Sequence, residues 1–273
     1  MGAIDERRLQ DLLEGERFVS RILVLPSAGS TNGEALKLAA EGAPEGTVVI
    51  ADAQTAGRGR LGRAWHSPPG AGLYFSVLLR PSGPVEDWPR WTIASALAIC
   101  EGCRAVSGCD VAIEWPNDLL LEGRKVGGIL TEGRSSGARS LGLVVGIGIN
   151  VNQEADDFSP EIRQRAVSLR MGRRGASVDR EDLAARCLGE MARVADTLAL
   201  GRWDLLREAW TRRAPGGQGW RVRVSPESLD ARRGSFEGTT RGLDEIGALL
   251  VERETGDLVA VHAADSVVFL EAR

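Results

Sequence analysis

The chain has 273 residues, 43 % of them hydrophobic, and a formal net charge of −4. That length supplies one full-sized domain and a small second one, and the acidic balance argues against a general nucleic-acid binder. The uncharged runs at 91–100 and 141–152 fall well short of the ~20 apolar residues of a membrane span. The amino terminus, with Asp5, Glu6, Arg7 and Arg8, is unlike a signal peptide, so a cytoplasmic protein is expected.

In chain order, residues 5–18 carry leucines at helical spacing (Leu9, Leu12, Leu13) and precede a short strand at 22–25. Ser30 and Thr31 offer N-cap chemistry ahead of a helix over 35–40, which ends near Gly42 and Pro44. A β-branched strand at 47–51 leads into a Gly-, Arg- and Pro-rich loop over 55–72. Strand returns at 73–79, and 88–106 is a long inner helix. Its Cys100 and Cys103 form a C-x-x-C pair that reads as packing on one face of a buried helix, or else as a redox pair or half of a zinc site, although no second ligand pair has zinc spacing. Four strands with tight connections are expected as antiparallel neighbours at 111–115, 118–121, 125–130 and 141–151. Helices follow at 180–200 and 202–213, then a linker, A-P-G-G-Q-G, at 214–219. Short strand-like runs at 220–224, 235–243, 248–252, 258–262 and 267–270 suggest a small barrel. The expected class is α+β: a mixed, largely antiparallel sheet packed with helices over 1–215, then a small all-β domain over 216–273.

The chain uses arginine almost to the exclusion of lysine. The only lysines are Lys37 and Lys125, and asparagine occurs only at Asn32, Asn117, Asn150 and Asn152. These residues stand where Arg or Asp would not serve, and they direct attention to three segments.

The first, residues 54–68, is Q-T-A-G-R-G-R-L-G-R-A-W-H-S-P. It contains G-x-G-x-x-G, but Pro68, Pro69 and Gly70 leave no helix to hold a pyrophosphate. A Walker A reading fails because Arg63 and Ala64 occupy the places of its Lys and Ser/Thr. A loop bearing Arg58, Arg60 and Arg63, with no acid between Asp52 and Glu86, reads as a lid for phosphate or carboxylate, or as a solvated basic loop or nucleic-acid-contacting arm. The second is E-W-P-N-D-L-L-L-E-G-R-K-V-G-G-I-L-T-E over 114–132. Trp-Pro-Asn-Asp is a turn by local chemistry. Lys125 lies in an apolar strand beside Gly127 and Gly128, which leave room for a ligand, although an edge lysine can also snorkel. The third is L-G-L-V-V-G-I-G-I-N-V-N over 141–152, where glycines in a strand mark close approach by a ligand or another backbone, or the packing of the sheet against a helix.

Together, Ser30-Thr31-Asn32, the G-R-G-R-L-G-R-A-W-H-S-P loop, Trp115-Pro116-Asn117-Asp118, R-K-V-G-G-I-L-T-E and G-I-G-I-N resemble the biotin–protein ligase family in order and spacing, over about residues 20–200. The resemblance implies a class II synthetase-like catalytic domain and a C-terminal SH3-like β-barrel. It implies ATP-dependent formation of biotinyl-5′-AMP and transfer of biotin to a lysine of a biotin carboxyl carrier domain, with Mg²⁺ on the ATP phosphates. Ser30, Thr31, Asn32, Gln54, Gly57, Arg58, Lys125 and Gly128 would bind biotin. Arg58, Arg60, Arg63, Trp65, Asn117, Lys125 and Asn150 would bind ATP and the adenylate, with Trp65 stacked on adenine. Lys125, Asp118 and Arg60 would be catalytic, Asp118 orienting or deprotonating the acceptor lysine. Bifunctional members carry an N-terminal winged helix, and only about twenty residues precede the catalytic region here. The monofunctional group, without a DNA partner, is therefore expected. Family members often carry another basic residue where Leu61 stands, so the loop here has slightly less charge. Lipoate and octanoate transferases are the nearest alternative, with a different arginine loop.

Overall fold

A computed structural model describes residues 2–136, 139–225, 234–262 and 266–272. Strands β1 (Arg21–Leu25), β2 (Thr47–Ala51), β3 (Gly72–Leu79), β4 (Ala112–Glu114), β5 (Asp118–Leu121), β6 (Arg124–Ser136) and β7 (Arg139–Asn150) form one sheet. Their order is β1-β2-β3-β7-β6-β5-β4. Only β1 and β2 run parallel; β4, β5, β6 and β7 are consecutive antiparallel neighbours, as the tight connections predict. Helices α1 (Glu6–Leu12), α2 (Thr31–Ala40), α3 (Pro89–Ser107), α4 (Leu169–Gly172), α5 (Arg180–Ala199) and α6 (Trp203–Arg213) complete this part.

Alternation along β7 sorts the two faces of the sheet. Leu143, Val145, Ile147 and Ile149 join the main core with Ile93 and Ile99 of α3 and Leu183 and Leu188 of α5. Val144 packs instead with Ala35 and Ala39 of α2. A period of two therefore places Gly146, Gly148 and Asn150 on the α2 face. The four cysteines are free and buried. Where α3 meets α5, a Cβ at Gly102 would lie 2.5 Å from Cys187 Sγ, so this crossing admits only glycine. Burial pushes the Cys100 thiol up to about 12, in keeping with thiols that pack rather than react.

Helix α1 stops at Leu12, short of the expected Phe18. Leu13 forms the cap, and Gly15 beyond it takes φ +82°. Helix α2 begins at Thr31 rather than Ala35, with Ser30 at the N-cap but without a side-chain cap bond. In the C-terminal part, β8 (Gln218–Ser225), β9 (Phe236–Leu243), β10 (Leu249–Arg253), β11 (Leu258–Val261) and β12 (Ser266–Ala272) form an antiparallel sheet in the order β11-β10-β9-β8-β12. Among the described residues no pairing joins β11 to β12, so the expected barrel is observed as a five-stranded sheet. The connection into it is a packed joint: Ala214 and Gly217 are buried, and Gly217 lies against the Trp210 ring. Val222, Val224, Leu249 and Val251 belong to the same apolar cluster as Trp203 and Trp210.

Candidate active site

On the α2 face a polar network joins the start of α2, the arginine-rich loop and β3. The Thr31 N–H and hydroxyl reach Gln54 Oε1 at 2.9 and 3.2 Å, and Gln54 Nε2 donates to Ser67 Oγ at 2.9 Å. The Ser76 hydroxyl donates to Asn32 Oδ1 at 2.6 Å and lies 2.8 Å from Thr31 Oγ1. Asn32 Nδ2 donates to Leu130 O and to Glu132 Oε2 at 3.0 and 2.7 Å. Arg58 Nη2 pairs with the same Glu132 oxygen at 3.0 Å. Thr31, Asn32, Ser67 and Ser76 are buried, so the network is fixed before any ligand arrives. Gly57 is required where it stands: a Cβ there would meet Trp65 O at 2.5 Å and Ser67 Oγ at 2.9 Å.

Lys125 reaches this face through a β-bulge. Leu119 pairs with Gly127 and Leu120 with Lys125, leaving Val126 as the extra residue on β6. One extra residue reverses the alternation. Val126 turns into the core, while Lys125 joins Gly128 on the site face, its Cε 3.6 Å from where a Gly128 Cβ would be. The Lys125 backbone is clamped from outside the sheet: its N–H donates to Arg165 O at 2.7 Å and its C=O accepts from Val167 N at 3.0 Å. Its Nζ lies 2.6 Å from Asp118 Oδ1 and 5.6 Å from the centre of the Trp65 ring. Asn150 supports the clamp by donating from Nδ2 to Val167 O at 3.1 Å and to Lys125 O at 3.4 Å.

Asn117 is buried in the turn between β4 and β5, where Nδ2 donates to Ile129 O at 2.7 Å and Oδ1 accepts from Arg60 Nη1 at 3.3 Å. Residues Arg60–Gly62 form a single 3-10 turn in which Leu61 adopts φ 56°. Arg58, Leu61 and Arg63 are exposed. The loop's roots are fixed more firmly. Asp52 Oδ2 accepts from Gly70 N at 3.1 Å, and buried Arg180 pairs with Asp52 at 2.8 Å while donating to Gly72 O at 3.0 Å.

The strand glycines make room for side chains. A Cβ at Gly146 would lie 2.0 Å from Asn32 Oδ1, and one at Gly148 would lie 2.5 Å from Trp65 Nε1. The space at Gly146 and Gly148 is thus filled by the side chains of Asn32 and of the loop's Trp65, rather than by another backbone. Every site residue named from the sequence lies on this face or in the loop and turn beside it, with Ser30 at the α2 N-cap.

Three residues escaped the sequence reading. Ser76 interrupts an apolar strand directly across from Gly146, a signal that was present in the sequence. Glu132, the counter-ion of Arg58, closes a motif whose chemistry the lysine dominates. Glu114 pairs across strands with Asp118. Burial, then the Asp118 charge, raises its carboxyl above the usual range, partly opposed by Lys125.

Residues 24–150 match the biotin/lipoate A/B protein ligase family. The chain is 36 % identical over 266 residues to the bifunctional ligase/repressor BirA of Bacillus spizizenii, covering 97 % of this chain and 79 % of that protein. It is 35 % identical to the biotin–[acetyl-CoA-carboxylase] ligase of Paracoccus denitrificans, covering 85 % of this chain and 95 % of the relative. Among solved structures, the biotin protein ligase from Aquifex aeolicus in complex with biotin and ATP superposes with TM-score 0.78 at 28 % identity, covering 92 % of this chain and all of that one.

Proposed function

The chain belongs to the biotin–protein ligase family, and from that premise we propose how its own residues perform the reaction. It is an ATP-dependent biotin–protein ligase. The first half-reaction joins two anions: a biotin carboxylate oxygen attacks the α-phosphorus of ATP and pyrophosphate leaves. Two unit charges about 4 Å apart repel by roughly 4 kcal/mol at an effective dielectric near 20.

The observation that carries the assignment of roles is the Lys125 ammonium, held beside Asp118 and over the Trp65 ring at the meeting of loop and strand. An ammonium has three donors. With one on Asp118, two remain for the carboxylate and the α-phosphate, the groups whose repulsion must be offset. An arginine fork in the same place presents its donors in one plane and does not replace this arrangement.

Thr31, Asn32 and Gln54, with Ser30 and Gly57 beside them, form the biotin side of the site, together with Gly128 next to Lys125. Their hydroxyl and amide groups match a ureido ring. Arg58 is released from Glu132 to meet the carboxylate and phosphate, and Arg60, Arg63 and Trp65 close over the nucleotide. Asn117 and Asn150 act mainly by fixing Arg60 and the Lys125 backbone. The nucleotide substrate is MgATP. Its Mg²⁺ accompanies the phosphates, as this ion generally does with a nucleotide substrate.

In the second half-reaction the acceptor amine attacks the acyl carbon and AMP leaves. Asp118, the nearest carboxylate to Lys125, orients the amine and takes its proton. The acceptor is the exposed lysine of a biotin carboxyl carrier domain of a biotin-dependent carboxylase.

Biotin-dependent exchange of pyrophosphate into ATP, with lipoate and octanoate in parallel, tests the reading. Exchange with biotin alone is expected. Exchange with lipoate or octanoate instead reassigns the substrate, and exchange with no acid from folded, ATP-binding protein refutes the function.

A further inference from the structure

The turn between β9 and β10 reaches across the molecule to the sequence that carries Asp118. Trp115 Nε1 donates to Gly247 O at 3.2 Å, and both residues are buried. Trp115 ends the approach to the β4–β5 turn; Pro116, Asn117 and Asp118 follow it directly. Asn117 holds Arg60, and Asp118 holds Lys125.

The donor's partner is itself built with care. Asp244 Oδ1 accepts from Ile246 N at 2.9 Å and Ala248 N at 2.8 Å, and Asp244 N donates to Ala248 O at 3.0 Å. Gly247 takes φ +90°, a conformation that favours glycine. Three further contacts pin the turn to the helices: Trp203 Nε1 to Asp244 O at 3.2 Å, Arg90 Nε to Glu245 O at 2.6 Å, and Arg207 Nη1 to Glu245 Oε1 at 2.6 Å.

Burial alone does not enforce such a bond in this protein. Among the described residues, the buried Nε1 atoms of Trp88 and Trp210 have no hydrogen-bond partner. The Trp115 bond is therefore a specific feature, and it lies three residues from Asp118. We infer that the Trp115 indole is a positioning residue that ties the C-terminal sheet, through the Asp244–Ala248 turn, to the Asp118–Lys125 pair. Freed of this bond, the β4–β5 turn shifts relative to β6, and displacement of about 1 Å at a reacting group can cost on the order of a hundredfold in rate. The inference deepens the ligase reading and rests on it for its kinetic consequence.

The test compares Trp115→Phe, which keeps an aromatic though smaller ring and deletes the donor, with Asp244→Ala, which removes the acceptor that shapes the turn. Each is expected to lower turnover in biotin-dependent pyrophosphate exchange by about tenfold, with KM for biotin within about twofold. The double variant should be no worse than the more impaired single one, since both break one link. Asp244→Asn, which retains an acceptor oxygen, should restore turnover. Near-normal exchange by Trp115→Phe, or additive losses, overturns the inference.

A second readout does not depend on the activity. Lys37 is exposed and is the only other lysine. Acylation of side-chain amines, read by peptide mass spectrometry, then gives Lys125 reactivity with Lys37 as internal reference. Displacement of Asp118 should raise the Lys125-to-Lys37 ratio at least threefold in Trp115→Phe and Asp244→Ala alike. If wild-type protein shows no exchange, the ligase reading has failed and this ratio alone judges the structural link. An unchanged ratio in either single variant overturns the link whatever exchange shows.

Discussion

The loop over residues 54–68 and the strand pair β5–β6 bring cations to the same face and hold them in opposite ways. Lys125 is fixed at its N–H, at its C=O and at its ammonium, by Arg165, Val167 and Asp118 respectively. Arg58 and Arg63 are exposed, and Arg58 rests on a half-exposed ion pair to Glu132. An exposed pair of this kind stabilises by only ~0–1 kcal/mol, so a ligand anion can displace it. A fixed ammonium suits the point where bonds change, because position must be set beforehand. Weakly held guanidinium groups suit a cover that closes on a ligand. One site thus divides its cations between preorganisation and capture.

Replacing the fixed cation should have the largest effect. Lys125→Arg is expected to lower biotin-dependent pyrophosphate exchange by about a hundredfold to a thousandfold, the scale of losing one preorganised donor. Because Lys125 is half-exposed, the thermal midpoint should stay within a few degrees. Exchange within tenfold of wild type would erase the distinction between the two regions. The next effect lies where they touch. In Gly148→Ala the new methyl would sit 2.5 Å from Trp65 Nε1 and lift the loop off β7. Overpacking of about 1–3 kcal/mol, relieved by displacing Trp65 from the site, predicts a tenfold to hundredfold loss of MgATP affinity by calorimetry. Unchanged affinity would mean that Trp65 does not contribute to nucleotide binding.

The contrast was only half legible in the sequence. Three arginines with no acid between Asp52 and Glu86 identify a cationic loop without help from the fold. The rigidity of Lys125 could not be read, because it depends on long-range pairing. The bulge at Val126 is invisible in the apolar run K-V-G-G-I-L, and the clamp comes from residues forty positions on. Asn117 and Asn150 were singled out by their scarcity, but scarcity does not say that their amides bond to backbone carbonyls. The α+β class and the sequence-adjacent strands β4–β7 were readable from hydrophobic alternation and short turns. The joint at 214–217 was not, since Gly and Pro mark a break in regular structure whether the break is loose or packed against Trp210.

Within the loop the effects should fall on retention rather than rate. Arg60→Gly removes the bond to Asn117, worth about 1.5–3 kcal/mol when one partner is charged. Release of biotinyl-5′-AMP should quicken at least tenfold, with labelling of bystander lysines, while exchange turnover changes far less. Unchanged acceptor selectivity would count against a lid. Limited proteolysis gives a companion measure: cleavage within 55–70 should come first and be suppressed by biotin with MgATP. An unprotected loop would show that it does not order on the ligand.

The smallest effect should come from Glu114, which belongs to the fixed region but not to its bonded core. Burial and the neighbouring Asp118 raise its carboxyl in the folded protein. The folded chain therefore takes up this proton more readily than the unfolded chain. Stability falls as pH rises from the ordinary glutamate value through the raised one, and the penalty is complete above it. Glu114→Gln removes the penalty, so the variant should melt slightly higher than wild type near pH 8. The gain should fade as pH falls through the raised value and be lost below the ordinary glutamate range, where the Glu114 carboxyl is protonated in the folded and the unfolded chain alike. Protection of the loop by ligand should not change, since Arg58 answers to Glu132 instead. A variant that melts lower at pH 8 would reverse the sign. Glu114 would then be a counter-ion of Lys125, and the ammonium would be held between two carboxylates.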